Sequence, residues 1–413
     1  MVRRPSPRQL APFGVAGFRL LFLSTLGSSI GTLLAAIALA IDVKDRTNSG
    51  LWVGAVLIVE FLPTIIVGLT LGPLLDRLDR RSLMVAADLL RAAVFFALPF
   101  TSSAAEIVAL ALVAGLATGF FRPAVYAGVP NLVSEDQLPA ANALLQTVEN
   151  VSWAIGPVLG GVLTAAAGPH TAYWINGVSF LVSAMLVARI SKRLLQSSTA
   201  LSRGHWRDLA DGFLAVWRSR PLLAVLVGWG IANIGSGAIT LLEVFFAKDT
   251  LHAGDFGYGL LYGGIGTGLV FGSWCSTYAV DRFGTTRAYV GALVLMTIGF
   301  GAAAAAPNIW VAAVLCLVGG VGVGVAIVCN ALLVQRGAAD HIRGRALTLI
   351  MSATYALNGV GTVIAGVTLH VVGVRWVWAG AAVAFALGAI AAFSLVRESQ
   401  AVAVDAGAAI ISD

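Results

Sequence analysis

Long apolar segments are the feature that most constrains how this 413-residue chain can fold. A helix needs about 20 consecutive apolar residues to cross a bilayer, and segments of that length recur between short charged or Gly/Pro-rich breaks. Hydrophobic residues make up 58% of the chain and charged residues 11%, where ordinary soluble domains have about a quarter charged. We predict twelve membrane-spanning helices, near residues 18–41, 51–72, 83–101, 105–128, 142–166, 171–190, 221–244, 257–280, 288–306, 309–334, 344–368 and 374–396.

Two alternative readings of these segments are disfavoured. Outer-membrane barrels are built from strands of about 10 alternating residues, which the long apolar runs do not resemble. The first run, near 18–41, is too long for a signal-peptide core and no convincing cleavage site ends it, so we expect it to be retained as the first span. The sequence therefore predicts an all-α membrane protein.

Arginine and lysine residues are concentrated on one side of the predicted spans. An even number of spans places both termini on one side, and the positive-inside rule makes the basic side cytoplasmic. We therefore expect a multi-pass protein of the plasma (bacterial inner) membrane with both termini cytoplasmic. The basic turns carry Arg77, Arg80, Arg81, Arg282, Arg287, Arg336, Arg343 and Arg345, and the opposite turns carry only Lys44, Arg46, Lys248 and Arg375.

A long central segment separates two groups of six spans. The boundaries predicted from it are an N-terminal bundle (1–190), a linker (191–220), a C-terminal bundle (221–396) and a cytoplasmic tail (397–413). Within the linker, Trp206–Trp217 places aromatic and aliphatic residues on one helical face and charged residues on the other, which is typical of an amphipathic helix on a membrane surface. A simple tether and a regulatory docking site are both compatible with it.

The two halves repeat at one constant offset. Asp76 and Arg77 recur as Asp281 and Arg282, a shift of 205 residues. The same shift relates three glycine pairs: Gly119 and Gly324, Gly156 and Gly361, Gly168 and Gly373. Two parallel repeats with a site between them near the bilayer midplane are typical of alternating-access carriers.

The turn after the second span carries a recognisable signature. Gly72, three residues, Asp76-Arg77, and then Arg80-Arg81 resemble the motif of the major facilitator superfamily, although Asp79 stands where that family usually has glycine. The resemblance implies two pseudo-symmetric six-helix bundles and a cytoplasmic gate in which such residues latch the halves together. The second half has a weaker copy at Asp281 and Arg282.

Four further charges fall in the cytoplasmic halves of spans 3, 4 and 5. Opposite charges at similar depth are expected to pair, so we assign Asp88, Arg91, Arg122 and Glu149 to the same gate, in pairs with one another and with Asp76 and Arg77. Direct contact with the substrate is the alternative role for them.

The fifth span contains Gly156-Pro157, two residues, and Gly160-Gly161. This stretch resembles the glycine motif of exporters and antiporters in the superfamily, with Ser152 in place of its usual upstream glycine. Ordinary close packing of helices is the alternative explanation. Further stretches, such as Val129–Val133, resemble the exporter group that includes enterobactin and macrolide efflux proteins, which implies outward transport driven by protons. The arginine-bearing motif of other drug/proton antiporters is absent from span 4.

Ionisable residues at membrane depth are costly and therefore mark functional positions. Glu60 lies near the middle of span 2, and Asp42 and Glu243 lie near the outer ends of spans 1 and 7. We predict these three as candidates for proton coupling or substrate binding. A structural hydrogen bond for Glu60, and solvation at the interface for the other two, are the alternatives.

The function predicted from these features is a secondary-active, proton-coupled exporter of a small amphipathic molecule such as a drug or siderophore. The alternative is an importer or facilitator of a nutrient or siderophore on the same fold. The five histidines are scattered and no metal or catalytic cluster is apparent, so we predict neither an enzyme nor a cofactor. The expected partners are a small-molecule substrate, protons and lipid, without nucleic acid, and the chain is expected to act as a monomer. The substrate, the proton stoichiometry and the direction of transport are left open.

Overall fold

The computed structural model describes residues 10–70, 79–191, 195, 217, 219–337 and 340–411. Within these ranges the regular structure is helical, with twelve long α-helices and no strand. They are α1 Ala16–Thr47, α2 Gly50–Thr70, α3 Arg80–Ala97, α4 Ala104–Leu132, α5 Leu138–Ala167, α6 Pro169–Ala188, α7 Arg220–Phe245, α8 Gly254–Phe283, α9 Thr285–Ala304, α10 Ile309–Gly337, α11 Asp340–Val372 and α12 Val374–Ile411.

Each predicted span coincides with one of these helices, so the all-α prediction is confirmed. In the described residues, ten helices are long and apolar enough to cross a membrane. For α2 only the shorter stretch Gly50–Glu60 counts as apolar helix by that measure, and α8 is not among the ten. The last helix, α12, continues to Ile411, past the predicted end of its span at residue 396.

Caps and glycines set several helix ends. The Asp79 carboxylate accepts a hydrogen bond from the Ser82 backbone N–H at 2.6 Å, which caps the start of α3. Gly168 (φ +78°) and Gly373 (φ +89°) adopt left-handed backbone conformations at the α5–α6 and α11–α12 turns. A side chain would be strained at both positions, so the glycine pair noticed in the sequence marks two equivalent turns.

The chain divides into two compact units. Unit 1 comprises Met1–Ser202 and Gly254–Gly263, and unit 2 comprises Arg203–Ala253 and Gly264–Asp413. The first third of α8 thus groups with unit 1, which the sequence did not indicate. The predicted amphipathic helix at Trp206–Trp217 lies outside the described residues, apart from Trp217.

The same helix pairs pack in both units. In unit 1, α1 packs on α5 and α6, and α3 packs on α4 and α6. In unit 2, α7 packs on α11 and α12, and α9 packs on α10 and α12. The α2–α4 pair, in which Gly115 lies against the Val59 carbonyl, corresponds to an α8–α10 pair in which Gly320 lies against the Ile265 carbonyl. The repeat in the sequence is therefore a repeat of packing.

Aromatic contacts repeat as well. The rings of Phe95 and Phe180 have centroids 5.7 Å apart in unit 1, and those of Phe300 and Phe385, each 205 residues later, are 5.4 Å apart in unit 2. All four rings are buried. One pair of aromatic side chains thus ties the third helix to the sixth in each half.

Candidate functional site

Glu60 lies in the middle of α2. Ten residues separate it from the start of the helix at Gly50, which is about 15 Å along the axis and half of a hydrocarbon core of about 30 Å. Its side chain is half-buried, and no described residue hydrogen-bonds to it or forms an ion pair with it. A carboxylate in this position is costly when charged and gains by binding a proton or a cation.

The backbone around Glu60 is unusual for a helix. Pro63 has no N–H, so the Val59 carbonyl lacks its helical partner. Gly115 of α4 lies against that carbonyl, and a Cβ atom there would collide with it. The two helices therefore approach closely beside the carboxylate, which fixes Glu60 at the α2–α4 contact.

Glu243, near the C-terminal end of α7, is buried with 2% of its surface exposed. Its Oε2 atom has no hydrogen-bond partner in the described part of the chain. Cys316 of α10 lies within electrostatic range of the carboxyl group. A π-helical turn, Phe246–Thr250, begins three residues later, and such turns occur often at functional positions.

Asp42, the third predicted candidate, is fully engaged. Arg46 donates from Nε to Oδ1 at 2.6 Å, and the Tyr173 hydroxyl donates to Oδ2 at 2.9 Å. Arg46 also donates to the Thr101 carbonyl at 2.8 Å. These contacts tie α1 to α6 and to the turn after α3, which favours a structural role for Asp42.

The predicted gate residues fall into two separate pairs. Asp88 and Arg91 form a buried ion pair within α3, and Ser183 of α6 donates to Asp88 at 2.7 Å. The Arg91 guanidinium lies 4.3 Å from the ring centroids of both Phe121 and Phe180. A buried charge pair flanked by two rings has satisfied most of its polar groups, although Arg91 Nε has no partner among the described residues.

The second pair joins α4 to α5. Arg122 donates to the Glu149 carboxylate at 2.5 Å, and the Tyr126 hydroxyl donates to the same oxygen at 2.9 Å. The Arg122 side chain is 49% exposed and that of Glu149 is 24% exposed. This pair is thus accessible, whereas the Asp88–Arg91 pair is sealed.

The signature turn is only partly visible. Gly72, Asp76 and Arg77 lie outside the described residues. Arg80 donates to the Leu195 carbonyl at 3.1 Å, and Leu195 is buried in the core of unit 1. Arg81 is half-buried in the first turn of α3. In the second half, Asp281 and Arg282 are exposed at the end of α8. The predicted latch stays a prediction.

The glycine motif of the fifth span brings α5 against two helices. Gly156 and Gly160 lie against the α1 backbone around Leu34. On another face of α5, Gly161 packs against Gly259 of α8. Gly259 also lies against the Pro157 carbonyl. Each glycine lacks space for a Cβ, so the motif permits contacts that larger residues would prevent.

Two amides in the membrane spans were not among the predicted site residues. Asn233 of α7 and Asn358 of α11 are half-buried in the middle of their spans. The spacing of Trp229, Asn233, Ser236 and Thr240 along one helical face of an otherwise apolar span was the signal that could have identified the first of them.

In the described residues no group of three or more His, Cys, Asp or Glu side chains is placed to hold a metal ion.

The family assignment follows from the whole chain. Residues 7–409 match the model of a family described as transmembrane secretion effector, a branch of the major facilitator superfamily. The chain belongs to this family. It is therefore a multi-pass membrane transporter and not an enzyme.

Two curated relatives of this family member are named as efflux proteins. It is 26% identical over 367 residues to the multidrug efflux pump Tap of Mycobacterium tuberculosis. The aligned region covers 84% of this chain and 85% of the relative. It is 24% identical over 267 residues to macrolide efflux protein A of Streptococcus pyogenes. The aligned region covers 60% of this chain and 65% of the relative.

Solved transporters share the fold of this family member. A bacterial homologue of the iron transporter ferroportin, in an inward-facing state, has a TM-score of 0.74 at 16% identity and covers 92% of this chain and 98% of that one. The nucleoside transporter NupG has a TM-score of 0.71 at 14% identity, and the superposition covers 92% of this chain and 99% of that one. At these identities the likeness extends to the fold alone, and it agrees with the predicted major facilitator architecture.

Proposed function

We propose that this transporter is a proton-coupled exporter, an antiporter, of a small amphipathic molecule such as a drug. Two efflux proteins among its relatives and the glycine motif of α5 support outward transport. The observation that carries the proton coupling is Glu60, a mid-membrane carboxylate with no partner among the described residues. A facilitator would have no need of such a group.

The proposed mechanism exchanges a proton for substrate at Glu60. A proton from the outer side neutralises the carboxylate, which lowers the cost of holding it at membrane depth. When the site opens to the cytoplasm the proton leaves and the carboxylate is charged again. A substrate that carries a positive charge then replaces the proton, because an opposite charge stabilises the carboxylate. Each cycle moves a proton inward and a substrate outward.

The remaining roles in this proposal come from the predicted residues. Glu243 serves as a second protonation site, because its buried carboxyl oxygen also has no partner in the described residues. The Arg122–Glu149 pair and the signature turn form the cytoplasmic gate. The transporter lies in the inner membrane with both termini in the cytoplasm, and works as a monomer.

The test is transport by the purified full-length chain in proteoliposomes. An imposed pH gradient should drive accumulation of tetraphenylphosphonium or erythromycin, and Glu60→Gln should reduce that accumulation by at least about tenfold. Exchange of labelled for unlabelled substrate, which needs no gradient, should persist in Glu60→Gln with a higher KM, because the variant loses the charge that binds the cation but keeps the gates. The matched control is Glu106→Gln, which removes an exposed carboxylate that accepts a hydrogen bond from the Ser102 backbone N–H at 2.7 Å.

Three results would contradict the proposal. Equal accumulation with and without the gradient would make the chain a facilitator. Accumulation by Glu60→Gln equal to that of the intact chain would remove Glu60 from the coupling. Movement of substrate in the same direction as the protons would favour an importer.

A further inference from the structure

A polar face lies on α7 in unit 2. Trp229, Asn233, Ser236 and Thr240 are spaced at intervals of four, three and four residues, which places them on one side of a helix. All four are half-buried, whereas most residues between them are fully buried. Asn358 of α11 meets this face, since its Nδ2 points toward the Asn233 carbonyl at 3.5 Å.

This face lies at the depth of the bilayer centre. Asn233 is thirteen residues from the start of α7 at Arg220, about 20 Å along the axis, and Asn358 is nine residues from the start of its apolar segment at Leu349, about 14 Å. A carboxamide facing lipid at that depth has no partner for its polar atoms. Partly exposed amides are therefore expected where a transporter admits water and substrate.

Both amides have unused hydrogen-bonding capacity. Asn233 donates one N–H to the Trp229 carbonyl at 2.8 Å, and its Oδ1 accepts nothing from any residue that the structure describes. The same holds for Asn358 Oδ1. An amide offers two donors and one acceptor oxygen with two lone pairs, so each side chain retains at least one donor and its acceptor.

These amides are not what holds α7 to α11. The 3.5 Å separation between Asn358 Nδ2 and the Asn233 carbonyl is long for a hydrogen bond. The helices are instead joined by the Thr362 hydroxyl, which donates to the Gly237 carbonyl at 3.1 Å, and by the close approach of Gly361 to the Ile234 carbonyl. The asparagines are left available for another partner.

The face is particular to unit 2. Positions 205 residues earlier are Ser28 and Trp153, so the internal repeat does not supply equivalent amides in unit 1. The Ser28 hydroxyl is directed to the Thr25 carbonyl. The helix packing that both units share therefore does not require these two amides.

We infer that Asn233 and Asn358 form a neutral hydrogen-bonding subsite for hydroxyl or carbonyl groups of the transported molecule. The subsite rests on the proposed export function and names part of the substrate's chemistry: an uncharged polar edge on an apolar body. Thr240 and Ser236 extend the same face toward Glu243, and the Trp229 position provides apolar area at its other end.

The experiment measures binding and gradient-driven transport of two probes by the full-length chain. Erythromycin carries many hydroxyl and carbonyl groups, and tetraphenylphosphonium carries none. Asn233→Leu and Asn358→Leu should each raise the Kd and KM for erythromycin by about tenfold, the effect of losing a buried hydrogen bond, and leave tetraphenylphosphonium within about twofold. Thr240→Val should have a smaller effect in the same direction.

A matched control separates binding from folding. Thr297 of α9 is half-buried and donates to the Leu293 carbonyl at 2.9 Å, as Thr240 does to the Ser236 carbonyl. Thr297→Val should change neither probe. If Asn233→Leu does not accumulate, Asn233→Ser and Thr240→Val give the same comparison with smaller side-chain changes.

Each outcome is decisive. Equal losses for both probes would assign the asparagines to structure, and unchanged erythromycin binding would remove the subsite. Transport of tetraphenylphosphonium without binding of erythromycin by the intact chain would overturn the subsite and leave the export proposal standing. No gradient-driven movement of either probe would count against the export proposal itself.

Discussion

At positions related by the repeat, unit 1 has Asp88, Arg91 and Ser183 where unit 2 has Leu293, Met296 and Gly388. The surrounding frame is nevertheless the same, because the paired phenylalanines and the helix contacts recur in both units. The repeat therefore preserves packing and lets charge vary. A buried ion pair is not required by this architecture, since an apolar pair fills the same place.

The units also differ in how their buried acids are compensated. Asp42 in unit 1 has Arg46 and Tyr173 as partners. Glu243 in unit 2 has an unpartnered oxygen in the described structure, and the residue 205 positions earlier is Ala38. We therefore propose a structural role for Asp42, and proton binding and release for Glu60 and Glu243.

The largest effect should come from breaking the ion pair of unit 1. Arg91→Met leaves the Asp88 carboxylate buried without its cation, which should lower the free energy of unfolding by about 3–5 kcal/mol. The double variant Asp88→Leu with Arg91→Met copies unit 2 and should recover most of that loss. Reversible unfolding in an SDS titration measures both. A double variant no more stable than the single one would show that the two units are not interchangeable here.

A smaller effect is expected at the matched glycines of α5 and α11. Gly361→Ala places a Cβ against the Ile234 backbone carbonyl and should cost about 3 kcal/mol. Gly156→Ala meets the Leu33 side chain at 2.7 Å and the Ile30 carbonyl at 3.2 Å, and should cost about 1–2 kcal/mol. The same titration compares them. The reverse order would mean that α1 and α5 are the more tightly packed pair.

The shared aromatic pair should respond equally in both units. Phe95→Leu and Phe300→Leu each remove one ring of a buried pair and should cost about 1–2 kcal/mol, with a difference below about 0.5 kcal/mol. Thermal unfolding of the two variants in one detergent makes the comparison. A clear difference would indicate that Arg91, which lies over Phe180, makes the frame of unit 1 stiffer.

The smallest effect should come from Tyr173→Phe. The variant removes one hydrogen bond to Asp42 but leaves the ion pair with Arg46, so it should cost about 1 kcal/mol and leave proton coupling unchanged. Unfolding and proton-driven transport are measured on the same preparation. Lost coupling at unchanged stability would return Asp42 to the list of proton sites.

The helices could be predicted from the sequence because each is encoded locally. A run of about 20 apolar residues fixes a span, and Gly168 and Gly373 mark turns by their own conformational freedom. The internal repeat could also be recognised from the sequence, because the residues that mark it, such as Gly168 and Gly373, act locally. The place where α12 ends, and the grouping of Gly254–Gly263 with unit 1, depend on tertiary contacts and left no local signal.

Side-chain partners were only partly predictable. Asp42 and Arg46, and likewise Asp88 and Arg91, are three or four residues apart on a helix, so their pairing had a local signal. Their third partners, Tyr173 and Ser183, lie on another helix about a hundred residues away. Contacts between helices leave no local signal, so the full environments of Asp42, Glu60 and Glu243 could not be told apart from the sequence.

The most direct test of the account is proton movement driven by substrate in proteoliposomes, measured for the intact chain, Glu60→Gln and Asp42→Asn. Tetraphenylphosphonium added on one side should drive protons the other way in the intact chain. We expect Glu60→Gln to abolish that movement and Asp42→Asn to preserve it, because Glu60 lacks a partner among the described residues whereas Asp42 is paired with Arg46. Proton movement that survives in Glu60→Gln and disappears in Asp42→Asn would contradict the distinction between paired and unpaired acids.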